Sequence, residues 1–261
     1  MQKHRGKLGI RQDADMNRIS CIICAYNESE RIEAILCAVK DHPILHEIIV
    51  VNDGSSDDTL THLAKYPGVR LITYSENRGK TYALGRGIDA SEGELIMLLD
   101  ADLTGITSEN ISELAAPVLD GKAQVSISMR SNSLWIYRML GLDFVSGERV
   151  MPKSLLADGI ATMQALPRWG GEAFINQLII KNKMRLAVVR WSNVYNVRKY
   201  EKVGAWRGFV EETRMIGDAL SVLTLWGAVT QNVGLLKLKV RLSATHRSSF
   251  LGTILQRSTP R

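Results

Sequence analysis

The sequence predicts an α/β fold with a mostly parallel sheet flanked by helices, on three observations. Short β-branched apolar runs alternate with helix-period segments through the first hundred residues. The strand-like runs are continuous rather than alternating in polarity, as strands covered on both faces are. Polar clusters close three of these runs at their C-terminal ends, the edge at which parallel sheets bind ligands.

Ile19 to Ala25 is the first such strand. Asn27-Glu28-Ser29-Glu30 follows, an N-cap with an acid three residues on, and Ile32, Ile35, Leu36 and Val39 then recur at helical spacing. Ile48 to Val51 is a second buried strand, ending in the cap-rich turn Asn52-Asp53-Gly54-Ser55-Ser56-Asp57-Asp58. A short helix carries Leu60, Leu63 and Ala64, and Val69 to Tyr74 is a third strand. Asn77-Arg78-Gly79-Lys80 is a turn ahead of a helix with Leu84, Gly87 and Ile88, and Leu95 to Leu99 is the fourth strand. Alternation at this pitch implies right-handed crossovers and a Rossmann-like sheet.

After Leu103 the pattern changes. A helix carries Ile111, Leu114, Ala115 and Val118. Val125, Ile127 and Met129 alternate with polar residues, which predicts a strand with one wetter face. Ser133 to Val145 reads as a helix, Ser146-Gly147-Glu148-Arg149 as a turn, and Pro167 to Glu172 as a turn before a helix with Ile175, Leu178 and Ile179. Leu186 to Trp191 is a strand, and Asn196 to Arg207 is basic and aromatic without periodicity. Gly208 to Val229, the region around 209–229, reads as a long amphipathic helix, and Lys237 to Arg241 as a short basic strand. No linker or repeat cuts a second domain. Residues 1–17 read as a flexible basic tail, 18–245 as one domain and 246–261 as a loose C-terminal tail.

The 261 residues carry a net charge of +6, which favours anionic partners: phosphorylated small molecules, anionic membrane or nucleic acid. The charge is spread along the chain and no nucleic-acid motif is present, which disfavours nucleic acid. Three cysteines, Cys21, Cys24 and Cys37, are too few for a disulfide framework and fit a reducing, cytoplasmic compartment. Cys21 and Cys24 would point to opposite faces of one strand, and no second pair follows at zinc-site spacing. The N-terminus shows no apolar leader segment. Ala219 to Leu236 is uncharged but interrupted by Ser, Thr, Gln, Asn and Gly, so it reads as a helix lying on protein or membrane rather than a span.

The densest chemistry is Leu95-Ile96-Met97-Leu98-Leu99-Asp100-Ala101-Asp102. Carboxylates are costly to bury, so the two acids should stand where the strand leaves the sheet. Strand alternation would put them on the same side, with Cα atoms roughly 6–7 Å apart. That spacing suits one divalent cation shared, or one carboxylate on the cation and the other on a neighbouring group. Acids after strands also serve as turn formers and caps.

Four motifs decide in favour of function: Cys24-Ala25-Tyr26-Asn27-Glu28, Val50-Val51-Asn52-Asp53-Gly54-Ser55-Ser56-Asp57-Asp58-Thr59, Asn77-Arg78-Gly79-Lys80 and Leu99-Asp100-Ala101-Asp102. In this order and spacing they resemble family 2 glycosyltransferases of the GT-A fold. More loosely, Ser146-Gly147-Glu148-Arg149 and Trp169-Gly170-Gly171-Glu172 are similar to acceptor-side elements of polyprenyl- or dolichyl-phosphate sugar synthases and glucosyl-3-phosphoglycerate synthases. The resemblance implies a nucleotide-sugar-binding half over 18–105 and an acceptor half over 106–245 with a helical extension.

It also implies a nucleotide-diphosphate sugar donor and Mg2+ or Mn2+. Carried over, Ala25, Tyr26 and Glu28 would line the base and ribose pocket, and Asp53 would accept a hydrogen bond from the base. Asp100, next to Ala101, would hold the ribose or the waters of the metal, and Asp102 would bind the metal. A hard cation on oxygen ligands would stabilise the charge that the leaving pyrophosphate gains, and Lys80 would add a second positive charge. Tyr26 could equally pack over the turn, Asp53 form it, and Lys80 be a solvated helix residue. Thr104 stands where some relatives carry a Gln ligand, and His246 is the one late histidine; His4, His42, His46 and His62 have no motif around them.

The second half should choose the acceptor. A hydroxyl acceptor needs a general base, for which Glu148 and Glu172 are the candidates. A lipid phosphate is already ionised and needs cations, for which Arg130, Arg138 and Arg149 are the candidates. The run from Tyr195 to Arg207 and the helix after it would suit an anionic membrane surface, on the inner face for a cytoplasmic protein. The reading leans to inverting transfer onto a polyprenyl phosphate. Its alternatives are a small phosphorylated acid, a polysaccharide, or a catalytically dead interaction module. The oligomeric state is open, a homodimer included.

Overall fold

In the computed structural model, residues 18–167, 170–196 and 225–242 are described. Seven strands form one sheet in the order β3-β2-β1-β4-β7-β6-β8. They are β1 (Ile19–Ala25), β2 (Leu45–Asp53), β3 (Arg70–Tyr74), β4 (Leu95–Asp100), β6 (Val125–Met129), β7 (Arg149–Pro152) and β8 (Leu186–Arg190). The short strands β5 (Leu103–Thr104) and β9 (Tyr195–Asn196) pair separately and antiparallel. Helices α1 (Ile32–Val39), α2 (Thr59–Leu63), α3 (Lys80–Ala90), α4 (Ser108–Leu119), α5 (Trp135–Leu140), α6 (Ile160–Ala165), α7 (Gly171–Lys181) and α8 (Leu225–Leu238), with a 3-10 turn at Lys153–Leu155, complete the described elements.

All strand pairs are parallel except those of β7, which runs against both β4 and β6. The C-terminal ends of β1, β2, β4 and β6 therefore share one edge with the start of β7. The chain order reverses between β1 and β4, the switch point at which such sheets open a crevice.

Both faces of the sheet are covered. Cys21, Ile23, Val50, Met97 and Leu99 pack with α1 and α4 on one face. Ile22, Val51, Ile96 and Leu98 pack with α3, α6, α7 and α8 on the other. Two-sided burial is why these strands read as unbroken apolar runs. Cys21 and Cys24 fall on opposite faces, as the alternation requires.

Several sequence expectations are corrected. Asn27 does not cap α1, which starts five residues later with Arg31 as its cap; Asn27 adopts a left-handed φ of 54° instead. Ser126 and Ser128 give β6 no wet face. Both are fully buried, their hydroxyls donating to the Leu114 carbonyl and to Glu148. The helix expected over 133–145 is only α5, closed by Gly141 in the left-handed conformation. Lys237 and Leu238 belong to α8, and Lys239 makes one isolated bridge to Leu186 in place of the expected strand. Strand β4 ends at Asp100 and turns through Ala101 and Asp102, so strand alternation does not reach Asp102.

The tail 1–17, the basic run from 197, most of the helix expected over 208–229, Trp169 and His246 lie outside the described residues. No described helix is long and apolar enough to cross a membrane.

Candidate active site

The loops after β1 and β2 are sewn together by side chains bonding backbone amides. Ser55 Oγ accepts from Asn27 N at 3.0 Å, Asn27 Oδ1 from Ser56 N at 2.8 Å, and Thr59 Oγ1 from Glu28 N at 2.9 Å. Glu28 is itself tied to Arg31 Nε at 2.6 Å. Ala25 is buried, whereas Tyr26 is 47% exposed over this rim.

Asp53, at the end of β2, is 3% exposed. Its two carboxylate oxygens each accept a backbone N–H, from Arg78 and from Gly79, both at 2.8 Å. The Asp-Gly pair is needed here. Gly54 has a φ of +69°, and a Cβ on it would lie 2.7 Å from Asn77 N. Asp53 thus fixes the 77–79 turn and the start of α3, which delivers Lys80. Tyr74, paired with Asp53 in the register of β2 and β3, places a buried hydroxyl with no hydrogen-bond partner among the described residues. Burial and the neighbouring Asp53 charge push its pKa up.

Lys80 reaches across the crevice. Its Nζ is 2.6 Å from Asp100 Oδ1 and 2.7 Å from Glu172 Oε1 on α7. Burial works against the ammonium, but the two carboxylates outweigh it and hold its pKa above the ordinary lysine range. Burial likewise opposes ionisation of Asp100, yet Lys80 and Arg130 keep its pKa depressed.

Arg130, just past β6, is the second cationic centre. It lies 2.8 Å from Glu148 Oε1 and 3.7 Å from both Asp100 Oδ2 and Asp143 Oδ2. The other oxygen of Glu148 accepts from Ser128 and Ser146 hydroxyls at 2.5 and 2.6 Å. Gly147 lets this loop lie directly on Asp100: a Cβ there would sit 2.5 Å from Asp100 Oδ1.

The predicted acceptor cations separate. Arg149 is fully enclosed, donating to Asn176 Oδ1 at 3.1 Å and to the Ser146 carbonyl, with its pKa pulled down by burial. It therefore acts through the 146–148 loop rather than by touching an acceptor. Arg138 is an exposed residue of α5, its guanidinium 3.5 Å from the Ser131 carbonyl. Of the three, among the described residues, Arg130 is the one ion-paired with the site acids.

Of the two candidate bases, Glu148 is fully buried and Glu172 is held by Lys80. Thr104 pairs through β5 with Tyr195. His42 is a buried structural residue between the Ser108 carbonyl and Ser112, and His62 pairs with Glu33. The sequence reading missed Tyr74, Ser128 and Asp143, and it gave Gly147 no role of its own within the 146–149 motif. Tyr74 had a local signal, as the polar tip of a strand neighbouring Asp53; Ser128 and Asp143 join the site through Glu148 and Arg130, which are distant in sequence.

Among the described residues no three His, Cys, Asp or Glu side chains gather as a metal cage. Asp100 is already neutralised by Lys80, while Asp102 is half-buried on the turn beyond it. This donor set fits a hard cation held by Asp102 and completed by substrate phosphates and water, as magnesium commonly is.

At the switch point of this α/β sheet, Lys80 bridges two acids and Arg130 is ringed by three. The chain belongs to glycosyl transferase family 2, whose family model matches residues 20–163, more than half of its length. It is 33% identical over 153 residues to a dolichyl-phosphate β-glucosyltransferase of Trichomonas vaginalis, covering 47% of this chain and 44% of that one. It is 32% identical over 114 residues to the dodecaprenyl-phosphate galacturonate synthase of Rhizobium johnstonii, covering 39% and 34%. The chain thus spans less than half the length of these curated relatives. Crystal structures of glucosyl-3-phosphoglycerate synthase from Mycobacterium tuberculosis share its fold. One, with Mn2+, UDP-glucose and phosphoglyceric acid, gives a TM-score of 0.61 at 23% identity over 84% of this chain and 85% of that one.

Proposed function

We propose that the chain moves a sugar from a nucleotide-diphosphate sugar onto a polyprenyl phosphate, with metal assistance and inversion at the anomeric carbon. One observation carries the choice of acceptor. Both carboxylates that could serve as general base are committed to cations, Glu148 to Arg130 at 2.8 Å and Glu172 to Lys80 at 2.7 Å. An acceptor hydroxyl would need one of them released, whereas a phosphate arrives ionised and needs none. The names of two of the curated relatives, which specify dolichyl or dodecaprenyl phosphate, agree with this choice.

In this reading the base and ribose lie along Tyr26, Glu28 and the Asp53-held turn. A phosphate oxygen of the acceptor bonds to the anomeric carbon as the bond to the nucleotide's terminal phosphate breaks. The electron pair leaves with the nucleoside diphosphate, and no proton moves. A Mg2+ or Mn2+ ion bound at Asp102 would neutralise charge on the departing pyrophosphate. Asp100 keeps Lys80 charged and aimed into the crevice, and Arg130 supplies the cation nearest the acceptor side.

Melting curves with UDP, GDP, ADP and dTDP, each with and without Mn2+, test the donor. One nucleotide should stabilise the protein in a metal-dependent way, and no shift with any of them would refute the reading. Incubation with the matching labelled sugar donor and a polyprenyl phosphate tests the acceptor. Label extracting into organic solvent supports it; label appearing on 3-phosphoglycerate instead would move the assignment to a small phosphorylated acid.

A further inference from the structure

Helix α5 buries none of its six residues. Met139 is 77% exposed, Trp135 71% and Leu134 57%, and Ile136, Leu140 and Val145 are also exposed. Soluble proteins rarely leave so contiguous an apolar surface uncovered without a use for it. The segment is nonetheless firmly held. Ser133 Oγ donates to Asp143 Oδ2 at 2.6 Å, Tyr137 meets Phe144 edge to face at 5.3 Å, and Gly141 N caps the helix on the Tyr137 carbonyl.

The second observation is charge. Lys239 Nζ donates to the Gly141 carbonyl at 2.7 Å. A Cβ on Gly141 would fall 2.7 Å from that ammonium and 3.3 Å from the Arg190 guanidinium, so the two cations flank one point. Partial burial, and then Arg190, push the Lys239 pKa down. Arg138, exposed on the helix itself, adds a third cation. Among the described residues none of the three is ion-paired with a carboxylate. Like charges gathered without a counter-ion beside an apolar face call for an external anion.

We propose that α5 and its basic flank, Arg190 and Lys239, dock the protein on an anionic lipid surface, with Trp135 and Met139 entering the headgroup region and the cations meeting lipid phosphates. Aromatic and apolar residues beside Lys and Arg are the composition that interfacial helices use. A second copy fits less well, because two-fold pairing would press one basic rim against another. Docking here also suits the site. The segment runs from Arg130 to Asp143 and the 146–148 loop, so lipid would meet the edge where the acceptor is proposed to enter. In that respect the inference builds on the acceptor reading, but its test needs no acceptor.

The test is flotation of the full chain with vesicles of phosphatidylcholine alone and with added phosphatidylglycerol, neither containing polyprenyl phosphate. The wild type should float with the anionic vesicles and be released as salt rises. Trp135→Ser combined with Met139→Ser should weaken partition by about tenfold or more, and so should Arg190→Gln combined with Lys239→Gln. Circular dichroism melting should show both doubles folded, since α5 contributes no buried side chain, Arg190 is exposed and Lys239 is not fully buried. A wild type that stays free of both vesicle types, or folded doubles that partition like wild type, would overturn the proposal. So would a Trp135-dependent dimer in sedimentation velocity without vesicle binding. Transfer to a short-chain polyprenyl phosphate in detergent is measured separately, so loss of docking and loss of the acceptor reading give different results.

Discussion

Replacing Gly147 with alanine should injure the site while leaving the fold in place. Nothing about the backbone forbids the change, because Gly147 is not among the residues of positive φ. The obstacle is packing: the new Cβ would lie 2.5 Å from Asp100 Oδ1, 2.7 Å from Oδ2 and 2.9 Å from Cγ. Real Cβ contacts essentially never fall below 3.0 Å, so Asp100 or the loop must move by about 0.5 Å at least. Neither moves freely. Asp100 is gripped by Lys80 at 2.6 Å, and the loop by Arg149 on one side and the three donors to Glu148 on the other. Overpacking of this kind costs about 1–3 kcal/mol, a melting-temperature drop of about 2–4 °C per kcal/mol for a chain of this size. A misplacement of 1 Å can cost about a hundredfold in rate, so a fall in kcat/KM of about tenfold or more is expected. The assay is kcat/KM for the nucleotide sugar identified by melting, alongside a thermal melt. Gly68→Ala is the control, since a Cβ there meets nothing within 4 Å. A folded Gly147→Ala protein with the kcat/KM of Gly68→Ala would refute the idea that this glycine sets the position of Asp100.

Three further outcomes are expected. Asp102→Asn should melt like wild type but lose the Mn2+-dependent part of nucleotide stabilisation and most turnover; normal metal-dependent turnover would remove Asp102 from the metal site. The Lys80–Asp100 pair should govern acid sensitivity. Asp100 has a depressed pKa in the folded state, so its contribution is present above the ordinary carboxylate value near ~3.9 and is lost as pH falls below it. Lys80→Met removes the cation that depresses it, so loss of stability should begin at higher pH, and pH-dependent melts with the same acid limb as wild type would contradict this. Arg149→Met should cost about 2–4 kcal/mol in urea unfolding by stranding Asn176 Oδ1 and the Ser146 carbonyl, while Arg138→Met should change stability by less than about 0.5 kcal/mol. Equal effects would mean that the burial of Arg149 is not what holds the loop.

Much of the first hundred residues could be read before any coordinates, because the signals there are local. Residues 19–25, 48–51 and 95–99 are apolar over a strand's length, and the turns after them carry Asn, Asp and Gly in positions that only a strand end tolerates. The failures have physical causes too. Arg149-Val150-Met151-Pro152 is too short and too mixed to signal a strand, yet it becomes β7 because β4 and β6 flank it. Ser126 and Ser128 look like a wet face but are buried, since Leu114 and Glu148 supply their partners from distant positions. Asn27 has the composition of a helix cap, but Ser56 of the neighbouring loop takes its side-chain oxygen.

The sequence by itself determined the alternating strands and helices, the edge at which the acids emerge, and the family. Those follow from periodicity and turn chemistry, which act over a few residues. Only the tertiary structure decided what the charges do. It bridged Lys80 to Asp100 and to Glu172, ninety-two residues further on, enclosed Arg149, locked both candidate bases, and left α5 exposed beside cations with no carboxylate partner among the described residues. Pairing of charges depends on which strands lie side by side and on how far burial removes water from between them, and neither is encoded in a local stretch of chain.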